Sequence, residues 1–412
     1  MDRAERIASV NSQKVRAPKT QRSAIMAKVY IGLLLCLGLS VSGVALLNPF
    51  QSPTPAVSAG PAGIVIDSAV HHAFVFGAAT GNVAVLDTRT QKTVATYQGD
   101  GSDDVWIGVD QHAHRALIAQ ERTSTVLLVR TDTLAVVRRM TIAYNPSTGA
   151  IDDSLHRAYI AHMAPTGVAI INLLTGQRVG DAPTLGRVGT IGVNTTVHRV
   201  CVGGSATPRL TWLDGYTGHR LSLQVLRTPS FDIAAIAAAN HTKRFFAIAG
   251  GHVYTFDALT RQLVAIVSVP GASALGVDER QGHVFVVNQF AGTIVMLNAR
   301  SGKVIALAAV QSLPFALAID AVHQRLYVVN NGSSSVSILN TRTGLLVRTV
   351  VIPAHAVDVD VDTIKGAVFV VTDGLTPQPN DGSLWTKLGV ALQRISHISP
   401  RATARRVQVE SI

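Results

Sequence analysis

Histidines and carboxylates are the side chains of this 412-residue protein with the widest chemical range, and there are 14 of the former and 25 of the latter. Together they can hold a metal ion or move a proton, provided that several converge on one point. Their spacing argues against convergence. His71, His114, His156 and His198 each follow an acid or amide (Asp67, Asp110, Asp152, Asn194) by four residues, and His323 follows Asp320 by three. Residues repeated at so long an interval occupy equivalent places in successive structural units that stand apart. Each histidine is therefore expected to hydrogen-bond within its own turn, and neither a metal nor another cofactor is predicted. His252, His355 and His397 lie off this register and offer no ligand spacing. The repeated acids are expected to accept hydrogen bonds from turn N–H groups or to pair with the basic residue that opens the next strand. Asp103 and Asp104 are different: in "GDGSDDVW" they precede an inner strand, where paired carboxylates at a channel mouth would bind a cation or act as a base. No G-x-S-x-G, H-E-x-x-H or D-x-D-x-D-G pattern occurs, so no catalytic residue is assigned.

The register defines the elements that must position these residues. Its first position recurs as Asp67, Asp110, Asp152, Asn194, Ala239, Asp278, Asp320 and Asp360, at spacings of 43, 42, 42, 45, 39, 42 and 40. A basic residue follows five positions later as His72, Arg115, Arg157, Arg199, Arg244, His283 and Arg325, slipping only at Ile364 and Lys365. The flanking runs, such as "FALAID AVHQ RLYVVN", alternate apolar and polar residues with the period of a half-buried strand. In seven of the eight units a second strand pair follows, with Asp87, Asp214, Asp257, Asn298 or Asn340 at its turn. Nothing between Gly63 and Val371 reads as a long amphipathic helix. A four-stranded sheet cannot bury both faces alone, whereas radial stacking of such sheets does so. The expected fold is all-β, a β-propeller of four-stranded blades at eight angular positions, with "RRVQVE" (405–410) supplying the third strand of the last blade. Seven blades plus an appended hairpin is the alternative.

In such blades the first-to-second and third-to-fourth strand turns emerge on one face and the remaining loops on the other. The first set is uniform ("DAVHQR", "NTRTGL"), and the second varies ("QERTST", "HMAPTG", "NQFAGT", "NNGSSS"). Variable loops on a rigid ring are the natural binding surface. Gln120, Glu121, Arg122, His162, Asn288, Gln289, Asn330 and Asn331 are the candidate binding residues there.

The strings "RLYVVNNGSSSVSILNTRTGLLVRTVVI" and "HVFVVNQFAGTIVMLNARSGKVIALAAV" resemble the YVTN-type bacterial β-propeller repeat, in which a YVxN-like strand precedes a VxVID-like strand and T-G-x-V. The resemblance covers most of the chain and is weakest in the fourth and fifth units. It implies an extracytoplasmic or surface-associated propeller.

Residues 29–47, "VYIGLLLCLGLSVSGVALL", carry no charge and match the length of a membrane-spanning helix. Seven basic residues against two acidic ones precede them, which places residues 1–28 in the cytoplasm and the propeller outside, as a single-pass membrane protein. Secretion after cleavage near "AVSAG" is the alternative. The expected organisation is a basic tail (1–28), a signal-anchor helix (29–47), a Pro/Ser/Ala linker (48–62), the repeats (63–382) and a basic extension (383–412). Net charge is +11, but only 5% of residues are aromatic and the basic residues are scattered over turns, so nucleic acid is not an expected partner. Cys36, in the apolar segment, and Cys201, in a buried strand, cannot pair.

The functional expectation is a membrane-anchored, non-enzymatic scaffold that binds a protein, glycan or small ligand through its variable loops. The alternative is a propeller hydrolase or quinone-dependent dehydrogenase working in the central channel.

Overall fold

The structure, a computed structural model, describes residues 61–372 apart from 78–79, 102–104, 143–144, 164, 229–231 and 353–354, together with 43–44 and 388–389. Val, Ile and Ala alternate with polar residues along the chain, and it folds as strands throughout. The sole helical element among the described residues is the short 3-10 turn Asn331–Ser333. Seven four-stranded antiparallel sheets form, each with its strands in sequence order. Their innermost strands are Pro61–Asp67, Val105–Asp110, Gly149–Asp152, Val188–Asn194, Ile233–Ala239, Ala272–Asp278 and Pro314–Asp320, which open blades 1 to 7. Each inner strand lies beside the next, and the sheets bury their faces against one another in a run of apolar clusters. The protein is an all-β propeller with seven four-stranded blades.

The expectation of eight complete blades is not supported. The eighth repeat contributes a two-stranded hairpin, Ala356–Asp362 and Ala367–Thr372, among the described residues. This hairpin is not appended to the rim. Its inner strand touches the inner strands of both blade 7 and blade 1, so it closes the ring between them. Val359, Val361, Val368 and Val370 face blade 7, while Ala367, Phe369 and Val371 face Ile64, Ile66 and Val75 of blade 1. The proposed third strand at 405–410 lies outside the described residues, as does the apolar segment 29–47. No helix among the described residues is long and apolar enough to cross a membrane. A separate two-residue parallel pairing joins Gly43–Val44 to Leu388–Gly389.

Strand pairing also corrects the register of the last repeat. Asp67 pairs with His72, Asp278 with His283 and Asp320 with Arg325; in the hairpin the corresponding pair is Asp362 with Ala367. The repeat acid is thus Asp362 rather than Asp360, and the basic position holds alanine.

Of the repeated histidines, His323 bonds within its own turn as expected, its Nδ1 2.7 Å from Asp320 Oδ2, whereas His71, His156 and His198 reach back to the preceding unit. Nδ1 of His156 meets Asp110 Oδ2 at 2.7 Å, His198 meets Asp152 at 2.9 Å, and His71 meets Asp362 at 2.7 Å. The junction of blades 1 and 2 is looser: His114 and Thr131 lie near Asp67 without closing a hydrogen bond. The other carboxylate oxygen serves the turn, as expected, with Asp110 Oδ1 accepting Ala113 N–H at 3.0 Å. The histidine position has positive φ (51° at His156), and Gly282 and Gly366 fill the same place in other units at 66° and 60°. Asp110 is fully buried, so Asp110→Ala would strand both the His156 ring and a turn N–H. A loss of about 2 kcal/mol in urea unfolding is expected.

Candidate functional site

The loop face carries all eight predicted binding residues, but it divides them into two sectors. Gln120, Glu121 and Arg122 lie on blade 2 and His162 on blade 3; Asn288 and Gln289 lie on blade 6, and Asn330 and Asn331 on blade 7. Two of these side chains, Gln120 and Asn331, bridge neighbouring units. Buried Gln120 donates from Nε2 to Gln98 O of blade 1 at 2.8 Å. Asn330 is fully buried and donates to Ser337 Oγ at 2.9 Å, while Asn331 donates to Ala356 O of the hairpin at 2.9 Å. Asn288 Oδ1 accepts Ala291 N–H within its own loop, and the Gln289 N–H bonds Gly271 O across to the neighbouring loop. Buried His162 meets Asp181 Oδ1 at 3.2 Å, and Arg178 pairs with the same carboxylate; the three border a cavity of about 120 Å³ walled by Pro165 and Pro183. Arg122 is exposed. Asp103 and Asp104 lie outside the described residues.

The loop face also presents side chains that residue type alone did not flag. Phe290, at the tip of "NQFAGT", is 81% exposed, and Leu313, on the adjacent blade, is 42% exposed with φ of 50°. An exposed aromatic at a loop apex is available to pack against another surface.

A second cluster lies at the closing seam. Asp358, Asp360 and Asp362 alternate along the inner strand of the hairpin and therefore share one face, toward blade 1. Asp358 Oδ2 accepts the Ile64 N–H at 3.0 Å and Asp360 Oδ2 the Ile66 N–H at 2.7 Å, both on the unpaired inner edge of the first strand. Their other oxygens accept the N–H groups of Val359 and Val361. At Gly63 a Cβ would fall 2.4 Å from the Phe76 ring and 3.1 Å from Asp358 Oδ2, so the packing of the first strand there needs glycine. Asp362 completes the row, receiving His71 and the Thr88 hydroxyl, the latter at 2.6 Å. Asp358 and Asp360 keep some open surface yet are enclosed by protein, and this burial pushes their carboxyls up to about 6 and about 7. The neighbouring carboxylates raise Asp360 further. The signal was in the sequence as "DVDVD", since the other inner strands carry small or apolar residues at the two positions concerned, such as Ala274 and Gly276.

No protein-family model matches the chain, and no curated protein is similar to it in sequence. Solved structures do share its fold. BamB from Moraxella catarrhalis aligns with a TM-score of 0.56 at 14% identity, over 73% of this chain and 90% of that one. The dihydro-heme d1 dehydrogenase NirN, solved in complex with DHE, aligns with a TM-score of 0.61 at 12% identity, over 81% of this chain and 73% of that one. At such identities the likeness establishes the propeller fold and nothing finer.

Proposed function

We propose that this protein is a non-enzymatic binding scaffold, of YVTN-repeat type, that engages a protein, glycan or small ligand through its loop face. The uncharged segment 29–47 would hold it at the outer side of a membrane. The contrast between the two faces carries the reading. On the turn face, acids and histidines are spent in stitching neighbouring units, whereas the loop face varies from blade to blade and projects Phe290.

One observation favours the enzymatic alternative: Asp358 and Asp360 place two carboxyls of near-neutral pKa on the inner edge of the ring. A group that holds its proton near neutrality suits acid–base chemistry. All four oxygens are nevertheless engaged by backbone N–H groups, an arrangement suited to holding the seam.

Thermal melting of the full chain separates the two readings. A scaffold is expected to melt at the same temperature with and without chelator, divalent metals and quinone cofactors, because only a ligand of the folded ring raises the midpoint. A fall with chelator or a rise with a quinone would overturn it in favour of the enzyme. A rise with an envelope glycan would support the scaffold and name its ligand class.

A further inference from the structure

The outer rim of the ring is not uniform. The outermost strands of blades 2 and 3 put charged Arg138, Arg139, Arg178 and Asp181 at exposed positions, which is how an edge strand is ordinarily kept from sticking. In blade 1 the outermost strand, Thr93–Tyr97, exposes one large apolar residue, Val94. Blades 4 to 7, which follow one another round the ring, are built otherwise. Their outermost strands are Arg220–Val225, Leu263–Ser268, Val304–Ala309 and Leu346–Val351. These strands expose Leu223, Ile266, Ile305, Leu307, Val347 and Val351, with Leu307 at 67% and Val351 at 77%. The turns that lead into the last two strands carry the exposed cations Arg300, Lys303 and Arg342. Asn298 and Asn340 accept the turn N–H groups there in place of an acid, so no carboxylate stands in either turn or strand. The acids at the turns of blades 4 and 5 are already engaged, Asp214 by Arg199 and Asp257 by Arg244.

We propose that the rim of blades 4 to 7 is a docking surface for an anionic lipid bilayer. An apolar strip bordered along one end by cations is complementary to a bilayer surface, where acyl chains begin beneath a layer of phosphates. The exposed apolar side chains enter the headgroup boundary, while Arg300, Lys303 and Arg342 meet the phosphates. The unpaired backbone groups of the outermost strands stay in the hydrated headgroup layer, because an open sheet edge is not tolerated in hydrocarbon. A second copy of the chain fits the strip less well, since its own rim here brings no free carboxylate to the three cations. Docking by the rim stands the ring on its edge and leaves the loop face, with Phe290, clear of the bilayer. The inference rests on the placement at a membrane proposed above, but not on residues 29–47 as the anchor.

The test places a fluorescent amino acid at Leu307 or Ile266, or as the control at Val94 of blade 1, in the full chain reconstituted in phosphatidylglycerol vesicles with brominated acyl chains. Bromine is expected to quench the probe at both rim positions and to leave the probe at Val94 bright. Exchanging Arg300→Gln, Lys303→Gln and Arg342→Gln together should weaken docking about 100-fold and abolish most of the quenching. Salt at about 0.5 M should act in the same direction by screening the phosphates. Coflotation of the full chain with phosphatidylcholine vesicles reports on residues 29–47 separately, so loss of the anchor and loss of rim docking are read apart. Equal quenching at Val94 and the rim, or none at either rim position while the ring remains folded, would overturn the proposal. So would shielding of the Leu307 probe that deepens with protein concentration in detergent, the mark of a second copy seated on the rim.

Discussion

The full chain carrying both Asp358→Asn and Asp360→Asn is expected to lose roughly 6 °C less of its thermal midpoint between pH 5 and pH 8 than the wild type does. Burial holds the two carboxyls at about 6 and about 7, above the ordinary aspartate value of 3.8. The folded ring therefore binds protons that the unfolded chain has already released. The stability tied to those protons is fully present below the ordinary carboxylate range and is lost as pH rises through 6 and 7. Each pH unit below a raised pKa is worth about 1.4 kcal/mol, so the two groups together would lose about 4 kcal/mol from pH 5 to pH 8, reduced to about 3 kcal/mol because both keep some contact with water. Asparagine keeps an acceptor for Ile64 or Ile66 and cannot ionise, but its amide nitrogen replaces the oxygen that accepts the Val359 or Val361 N–H, so the flattened pH profile rather than the absolute midpoint is the readout. Parallel pH profiles for the two proteins would contradict this account of the seam.

Trp212→Ala is expected to cost about 4 kcal/mol, measured as a shift in the urea midpoint at constant slope. The indole is fully buried at the interface of blades 4 and 5, edge-on to Phe245 at 5.2 Å and Phe256 at 5.7 Å. Its Nε1 donates to Gln224 Oε1 at 2.7 Å, and Gln224 in turn donates to Arg261 O of blade 5 at 2.7 Å. Truncation would leave a cavity between two rigid sheets and remove the donor that orients this bridge. A change below about 1 kcal/mol would mean that the sheets collapse onto the gap, which close-packed blade faces should prevent.

The repeat register was enough to place the inner strands of all seven blades, because six of the seven carry an acid or amide that accepts turn N–H groups at the same corner, and Ala239 keeps the spacing in the fifth. It failed at the last unit, where "DVDVD" offers three acids and only strand pairing distinguishes Asp362 from Asp360. The same failure concealed Ala367, the single position where the basic residue is absent rather than displaced. The histidine partners were illegible for a different reason: His156 meets an acid 46 residues away and His71 one 291 residues away, and spacing in sequence carries no information about contact between neighbouring units. On the loop face, sequence variability located the surface, but Gln120 and Asn331 reach across to neighbouring units and Asn330 is buried within its own blade, while Phe290 turned out. Polar type alone could not separate those fates.

The central claim is that partners engage the loop face, and site-specific photo-crosslinking of the full chain in producing cells tests it most directly. A photoreactive phenylalanine analogue would replace Phe290 or Gln289 on the loop face and, as the control, exposed Val322 on the turn face. The account predicts a discrete adduct from Phe290 and Gln289 and none of the same mass from Val322. An adduct of equal yield and mass from Val322, or none from either loop position while the ring remains folded, would contradict it.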